Sequence, residues 1–324
     1  MIRLPVFKTL IAAALIGAIA GPSLAADKWP ERPITLIVPY PAGGLTDIVS
    51  RTIGNELSNV LGTNVIIENR AGAGGQIGLQ AMLAAPRDGY TVSLVVPATM
   101  VTLPLTNPAY KIKPLVDFQP ITVAVSTYLT LVTDPKLGFK SLEDFTAYAK
   151  KHPGKMSYGI PGTGTSYHFS NVALAQKLGI EAVSIPYTGE MAVINDLIGS
   201  QLQYALVSSV GKNFINDGKL TALAVTSTQR VKELPDVPTV QESGFDFSTN
   251  GWVGYAVATG TPAPIVSKLH NGFVKALRNP EVNQRLIDLG YHVVGNTPDE
   301  FRKLVQDDEQ SYGALLKSGA IRLD

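Results

Sequence analysis

Two stretches of this 324-residue sequence collect the residue types that hold an anion without any basic side chain. The first reads Pro39-Tyr40-Pro41-Ala42-Gly43-Gly44-Leu45-Thr46-Asp47, the second Pro161-Gly162-Thr163-Gly164-Thr165-Ser166-Tyr167-His168. Glycines let a ligand approach the backbone and let N–H groups turn outward, and the hydroxyls of Thr46, Thr163, Thr165 and Ser166 add further donors. An apolar, β-branched run (Ile34 to Val38) precedes the first loop, and a strand-like run (Met156 to Ile160) precedes the second. Helical patterns follow both: Val49, Ile53, Leu57 and Val60 after the first, an apolar helix over 167–178 after the second. A strand–loop–helix unit leaves the unpaired N–H groups and positive end of the helix at the loop, which is an anion cradle. Thr46 or Asp47 is placed to cap the first helix. His168, in the first turn of the second, is placed either to donate to an anion or to pack. One such loop is an ordinary connection; two in one chain point to a common ligand.

Other chemistries find little support. Gly72-Ala73-Gly74-Gly75-Gln76-Ile77-Gly78 has glycines spaced Gly-x-Gly-x-x-x-Gly, not the dinucleotide pattern, and lacks a suitable acid about 20 residues on, so it reads as close helix–loop packing. His152, His168, His270 and His292 show no metal-ligand spacing, and neither His-Glu-x-x-His nor Gly-x-Ser-x-Gly occurs. No metal, cofactor or catalytic group is therefore expected; an enzyme would have to work through Asp47, His168 or Glu190. The absence of cysteine excludes disulfides and a lipoprotein anchor.

The elements that must position these loops begin after a leader. Arg3 and Lys8, an apolar run over 10–20, Gly21-Pro22 and Ser23-Leu24-Ala25 read as a signal peptide spanning 1–25, cleaved before Ala26. Export to a periplasm follows. Loss of Arg3 and Lys8 lowers the basic residues from 27 to 25 against 26 acids, a formal charge of −1, too low for a nucleic-acid partner. Beyond the leader, strands at 34–38, 64–68 and 90–96 alternate with helices, which implies a parallel sheet whose ligands settle beyond the strands' carboxyl ends. Residues 100–120, with Pro104, Pro108 and Pro114, read as loop, and 121–132 as a long strand passing between lobes. The second cradle, a strand at 183–185 ending in Pro186-Tyr187, and an irregular return from Glu233 to Gly251 follow. The fold class is thus α/β: a ligand cleft between two Rossmann-like lobes, with 26–125 plus 251–324 forming lobe 1 and 126–250 lobe 2.

Three stretches near the start read Trp29-Pro30-x-Arg32-Pro33-Ile34, Val38-Pro39-Tyr40-Pro41-Ala42-Gly43-Gly44-x-x-Asp47 and Glu68-Asn69-Arg70-x-Gly72-Ala73-Gly74-Gly75-x-Ile77-Gly78. Pro86-x-Asp88-Gly89-Tyr90, Gly162-x-Gly164-x-Ser166-x-His168, Leu223-Ala224-Val225-Thr226-Ser227 and Leu234-Pro235-Asp236-Val237-Pro238-Thr239 follow, in order over the whole mature chain. This run of motifs carries a resemblance to the substrate-binding proteins of tripartite tricarboxylate transporters, the Bug family. It implies a type II periplasmic binding protein holding a small mono-, di- or tricarboxylate, aromatic and amino-acid-like ones included, and a permease of one large and one small membrane subunit as partner; a monomer is expected. Carried onto this sequence, the ligand-binding residues are Ala42, Gly43, Gly44, Thr46 and Asp47 of the first loop and Gly162, Thr163, Gly164, Thr165, Ser166 and His168 of the second. Tyr40 and Ser208, with Met100, Tyr167, Ser209 and Trp252, are read as setting the pocket's size, the first two as ligand contacts. Tyr167, Phe169 and Gly189-Glu190-Met191 depart from the family pattern, and an acid at Glu190 would discourage a second anionic group or welcome an amine. A periplasmic sensor with the same cleft and no transport role is the alternative.

Overall fold

The computed structural model describes residues 28–321, so the leader read at 1–25 lies outside the described residues. Two sheets are built to one plan. In the first, β1 (Ile34–Val38) lies between β2 (Val65–Asn69) and β3 (Thr91–Val95) and runs parallel to both. In the second, β6 (Met156–Ile160) lies between β7 (Ala182–Pro186) and β8 (Tyr204–Val207), again parallel to both. The chain thus leaves each middle strand toward one neighbour and later crosses to the other side. Loops at the carboxyl end of the middle strand diverge there and open a crevice. Both cradle loops leave from these two points.

Each sheet is then extended by antiparallel strands that link the lobes. β4 (Phe118–Tyr128) and β10 (Asn250–Ala258) pair over almost their full length beside β3, and the short β11 (His292–Val293) closes the far edge. β5 (Thr130–Thr133) and β9 (Thr221–Val225) do the same beside β8. β4 keeps its pairing to Tyr128, opposite Asn250, so the chain changes sheets at Leu129 and returns between Val225 and Asn250. The run 121–132, read as one strand, is therefore two strands in different sheets.

Helices cover the sheets as their apolar spacing requires. α1 (Leu45–Leu61) buries Val49, Ile53 and Leu57 and ends in the left-handed glycine Gly62. α2 (Gln76–Leu83) follows β2. The segment expected to be loop over 100–120 is partly helical: a single wide turn at Ala98–Thr102 leads into α3 (Leu103–Thr106), and α4 (Pro114–Asp117) follows. The prolines misled because Pro104 and Pro114 stand in first turns, where a missing N–H costs nothing. The second sheet carries α5 (Leu142–Lys151), α6 (Ser166–Leu178), α7 (Glu190–Ile198) and α8 (Lys212–Asn216). After β10 come α9 (Ala263–Leu277), α10 (Pro280–Asp288) and α11 (Pro298–Lys317), the last opened by a capping box between Thr297 and Glu300.

α11 does not stay on its own lobe. Tyr312 stacks on Phe169 of α6, ring centroids 4.5 Å apart and 16° from coplanar, and Phe169 shares one core with Trp252 and Phe301. The helix that begins at the second cradle is thus seated on the C-terminal segment. Two sequence motifs serve the scaffold. Arg32 pairs with Asp88 at 2.8 Å and lies over the Tyr90 ring at 3.8 Å, joining the Trp-Pro and Pro-x-Asp-Gly-Tyr stretches.

The glycine-dense turn is a close-packing device. A Cβ on Gly78 would come within 2.8 Å of the Arg70 carbonyl oxygen and within 2.9 Å of the Pro39 Cα. Both are backbone atoms of the segments flanking the first cradle. Gly78→Ala should destabilise by about 1–3 kcal/mol through overpacking, measured by urea unfolding; unchanged stability would mean α2 is free to move away from Pro39.

Candidate functional site

The first loop is closed by Asp47. The Asp47 carboxylate accepts from the Gly43 N–H at 2.9 Å, Arg51 Nε at 3.0 Å and Asn69 Nδ2 at 2.9 Å. Burial pushes this carboxyl up, but the hydrogen bonds and the Arg51 charge outweigh burial and hold it at about 2. Asp47 therefore shapes the loop, spending its acceptors on Arg51, Asn69 and the backbone. Gly44, not Thr46 or Asp47, is the N-cap of α1. It has no side chain to offer, so the first turn has no side-chain cap. Thr46 and Asp47 lie one and two residues inside the helix instead. Gly43 adopts a left-handed backbone, φ 80°, that a side chain would disfavour. Ala42, Gly43 and Gly44 are exposed and Thr46 is half-buried.

The second loop repeats this construction. The Gly164 N–H donates to His168 Nδ1 at 3.3 Å, which requires the neutral ring with its proton on Nε2, and burial lowers the His168 pKa accordingly. His168 is buried and stands four residues after its glycine, as Asp47 does after Gly43. Thr165 caps α6, accepting from the His168 N–H at 3.4 Å while its hydroxyl donates to the Gly162 carbonyl at 2.8 Å. That cap takes the third N–H of α6 and no side chain takes those of Ser166 and Tyr167.

Between the lobes lies a cavity of about 730 Å³. Thr163, Gly164, Thr165, Ser166 and Tyr167 line it on one side, with Pro161 and Glu190. From the other lobe come Tyr40, Gly74, Ala98, Thr102, Leu103 and Thr106. Of the residues read from the sequence, the cavity brings together Tyr40, Thr163, Gly164, Thr165, Ser166, Tyr167 and Glu190. Ala42, Gly43, Gly44, Thr46 and Asp47 of the first loop do not line it, nor do Gly162, His168 and Ser208; His168 lines a separate space of about 320 Å³ with Tyr158 and Ser184. Trp252 is buried against Asp308, and Ser209 lines a second inter-lobe space of about 530 Å³ with Leu45. Ala98, Thr102 and Thr106 were missed. Their signal was a spacing of four residues just beyond the third strand, hidden by reading Pro104 as a loop marker.

A family model described as "Tripartite tricarboxylate transporter family receptor" matches residues 49–321. The chain belongs to this receptor family. Protein BugT of Bordetella pertussis is 32% identical over 308 residues, covering 94% of each chain. A TctC solute-binding protein from Polaromonas, solved with no ligand, superposes with a TM-score of 0.83 at 30% identity, over 90% of this chain and 99% of that one. MatC of Rhodopseudomonas palustris, solved with bound malate, gives 0.67 at 29% identity, over 89% and 99%. Its solved relatives are solute-binding receptors, and the two-lobed α/β fold is theirs.

The receptor's cavity carries little charge. Glu190, the first residue of α7, is the one charged side chain among the described residues lining it. Its carboxylate accepts from the Ser208 N–H, from Ser208 Oγ at 2.9 Å and from the Tyr167 hydroxyl at 3.3 Å. Burial raises its pKa, and these hydrogen bonds oppose the rise. Burial also pushes the Tyr40 hydroxyl up to about 12, so it stays a neutral donor.

A second perturbed acid lies away from the cavity. Asp308 of α11 accepts from Trp252 Nε1 at 3.1 Å, and burial pushes its pKa up to about 6. A carboxyl whose folded pKa exceeds its unfolded one contributes stability below the unfolded value and loses it as pH rises through the folded value. The receptor should therefore lose stability between about pH 4 and pH 7, and Asp308→Asn should remove that slope and gain about 1–2 kcal/mol at pH 7.5. Denaturant melts across pH would show it; parallel curves for parent and variant would contradict the assignment.

Proposed function

We propose that this receptor captures a small organic carboxylate in the periplasm and delivers it to a permease of one large and one small membrane subunit. One observation carries the reading: the cavity between the lobes opens onto the start of α6, where the N–H groups of Ser166 and Tyr167 have no side-chain acceptor. Such a site suits a carboxylate, because a helix N-terminus gives an anion about 0.3–1 kcal/mol when exposed and more when water is excluded. The malate in MatC, a relative of the same fold, supports it.

The ligand set proposed comprises Thr163, Gly164, Thr165, Ser166 and Tyr40 at the cavity wall, joined by the first loop, 42–47, when the lobes close. His168, Gly162 and Ser208 hold the wall residues Gly164, Thr165 and Glu190 by hydrogen bonds. Lobes of 26–125 plus 251–324 and of 126–250, a cleaved leader over 1–25 and a monomeric state complete the proposal.

A carboxylate that binds only the folded receptor raises its melting temperature by mass action, by about 2.7 kcal/mol of stability at a hundred times Kd. Screening mono-, di- and tricarboxylates by thermal shift should give such a rise for at least one. Ser166→Asp should weaken that ligand at least about tenfold while leaving the fold intact, because an acid at a first helical position suits the dipole but repels an anion. No shift with any carboxylate would refute the proposal.

A further inference from the structure

We propose that Glu190 makes this cleft a receptor for carboxylates that also carry an ammonium group, and turns away those with a second carboxylate. The inference rests on the carboxylate-capture reading and adds what the other end of the ligand must be. The cavity offers a helix start that carries no acid of its own, that of α6, and one negative side chain, Glu190, which opens α7. Tyr167 joins them: it is the second residue of α6 and its hydroxyl donates to Glu190 at 3.3 Å. The two poles therefore stand one side chain apart on the same wall.

Glu190 is held but not neutralised. Its three donors, the Ser208 N–H, the Ser208 hydroxyl and the Tyr167 hydroxyl, are all uncharged. Neutral donors fix the direction of a carboxylate and leave its charge in place. A half-buried charge without a counter-ion is stabilised by a ligand that brings one, and penalises a like charge. An ionised carboxylate has about four acceptor sites, so the three donors leave room for an ammonium N–H. Nothing else on the wall could neutralise a second carboxylate, since the remaining lining residues are uncharged. Electrostatic complementarity of this kind sets selectivity by rejecting the wrong charge as well as by attracting the right one.

Ligands matched in chain length test this on the unmodified receptor. Butyrate, 4-aminobutyrate, 2-aminobutyrate and glutarate differ at one substituent only, and isothermal titration compares them. At least one aminobutyrate should bind about tenfold or more tighter than butyrate, with glutarate weakest. Glu190→Gln keeps an acceptor for Ser208 and Tyr167, so it should erase the preference for the amine and bring glutarate up to butyrate. Its melting temperature reports whether the fold survives, and the wild-type ligand order stands as evidence without it. Glutarate binding as tightly as both aminobutyrates, or an order unchanged in Glu190→Gln, would overturn the role of Glu190 while leaving carboxylate capture intact. Absence of binding by every carboxylate, including those of the wider thermal-shift panel, would instead overturn the capture reading, and this inference with it.

Discussion

A glycine N–H held by the side chain four residues further on is the interaction both cradle loops depend on. Gly43 is held by Asp47 and Gly164 by His168. Each bond folds a flexible glycine turn back onto the first turn of a long helix, so the loop is shaped before any ligand arrives. Preorganisation of this kind lowers the entropy cost of binding. The two holders differ in charge. Asp47 is ionised and needs Arg51 and Asn69 to balance it, whereas His168 is neutral and leaves the α6 terminus positive. The cavity lies at the second loop, where the first turn of the helix carries no acid of its own.

Without a lysine or arginine in its wall, the cleft must grip charge through dipoles and hydroxyls. That choice ties affinity to exclusion of water, since oriented N–H groups act strongly only in a low-dielectric enclosure. It also makes Glu190 conspicuous, because no lysine or arginine stands among the described residues lining the cavity. The same construction explains why two lobes are needed: each lobe alone presents an exposed helix end of modest worth, and enclosure between them raises it.

The lobes are linked by more than the two crossing segments. Phe169 of α6 stacks on Tyr312 of α11, and Ser170 Oγ hydrogen-bonds with Thr249 Oγ1 at 3.2 Å on the return crossing. The helix carrying the second cradle thus rests on the C-terminal segment at its back while its N-terminus faces the cavity.

Much of this was legible in the residue order. Strand, glycine loop and helix recur with clear local signals, because β-branched runs, glycine turns and apolar spacing act over a few residues. The sequence by itself determined both cradles, the α/β alternation, the two-lobed plan and the family. Tertiary structure decided which loop residues face the cavity. Asp47 and His168 look like ligand contacts in sequence; in the fold each holds a glycine N–H, because buried polar groups are paired within the protein. The wall from Ala98 to Thr106 was hidden for a related reason: a proline in a first helical turn and a proline in a loop read alike until the hydrogen bonds are seen. An acid at Glu190 bears on ligand charge in the sequence already, but its place in the wall is set by Tyr167 and Ser208, 23 and 18 residues away and folded against it, because the charge a cavity presents depends on which side chains meet there.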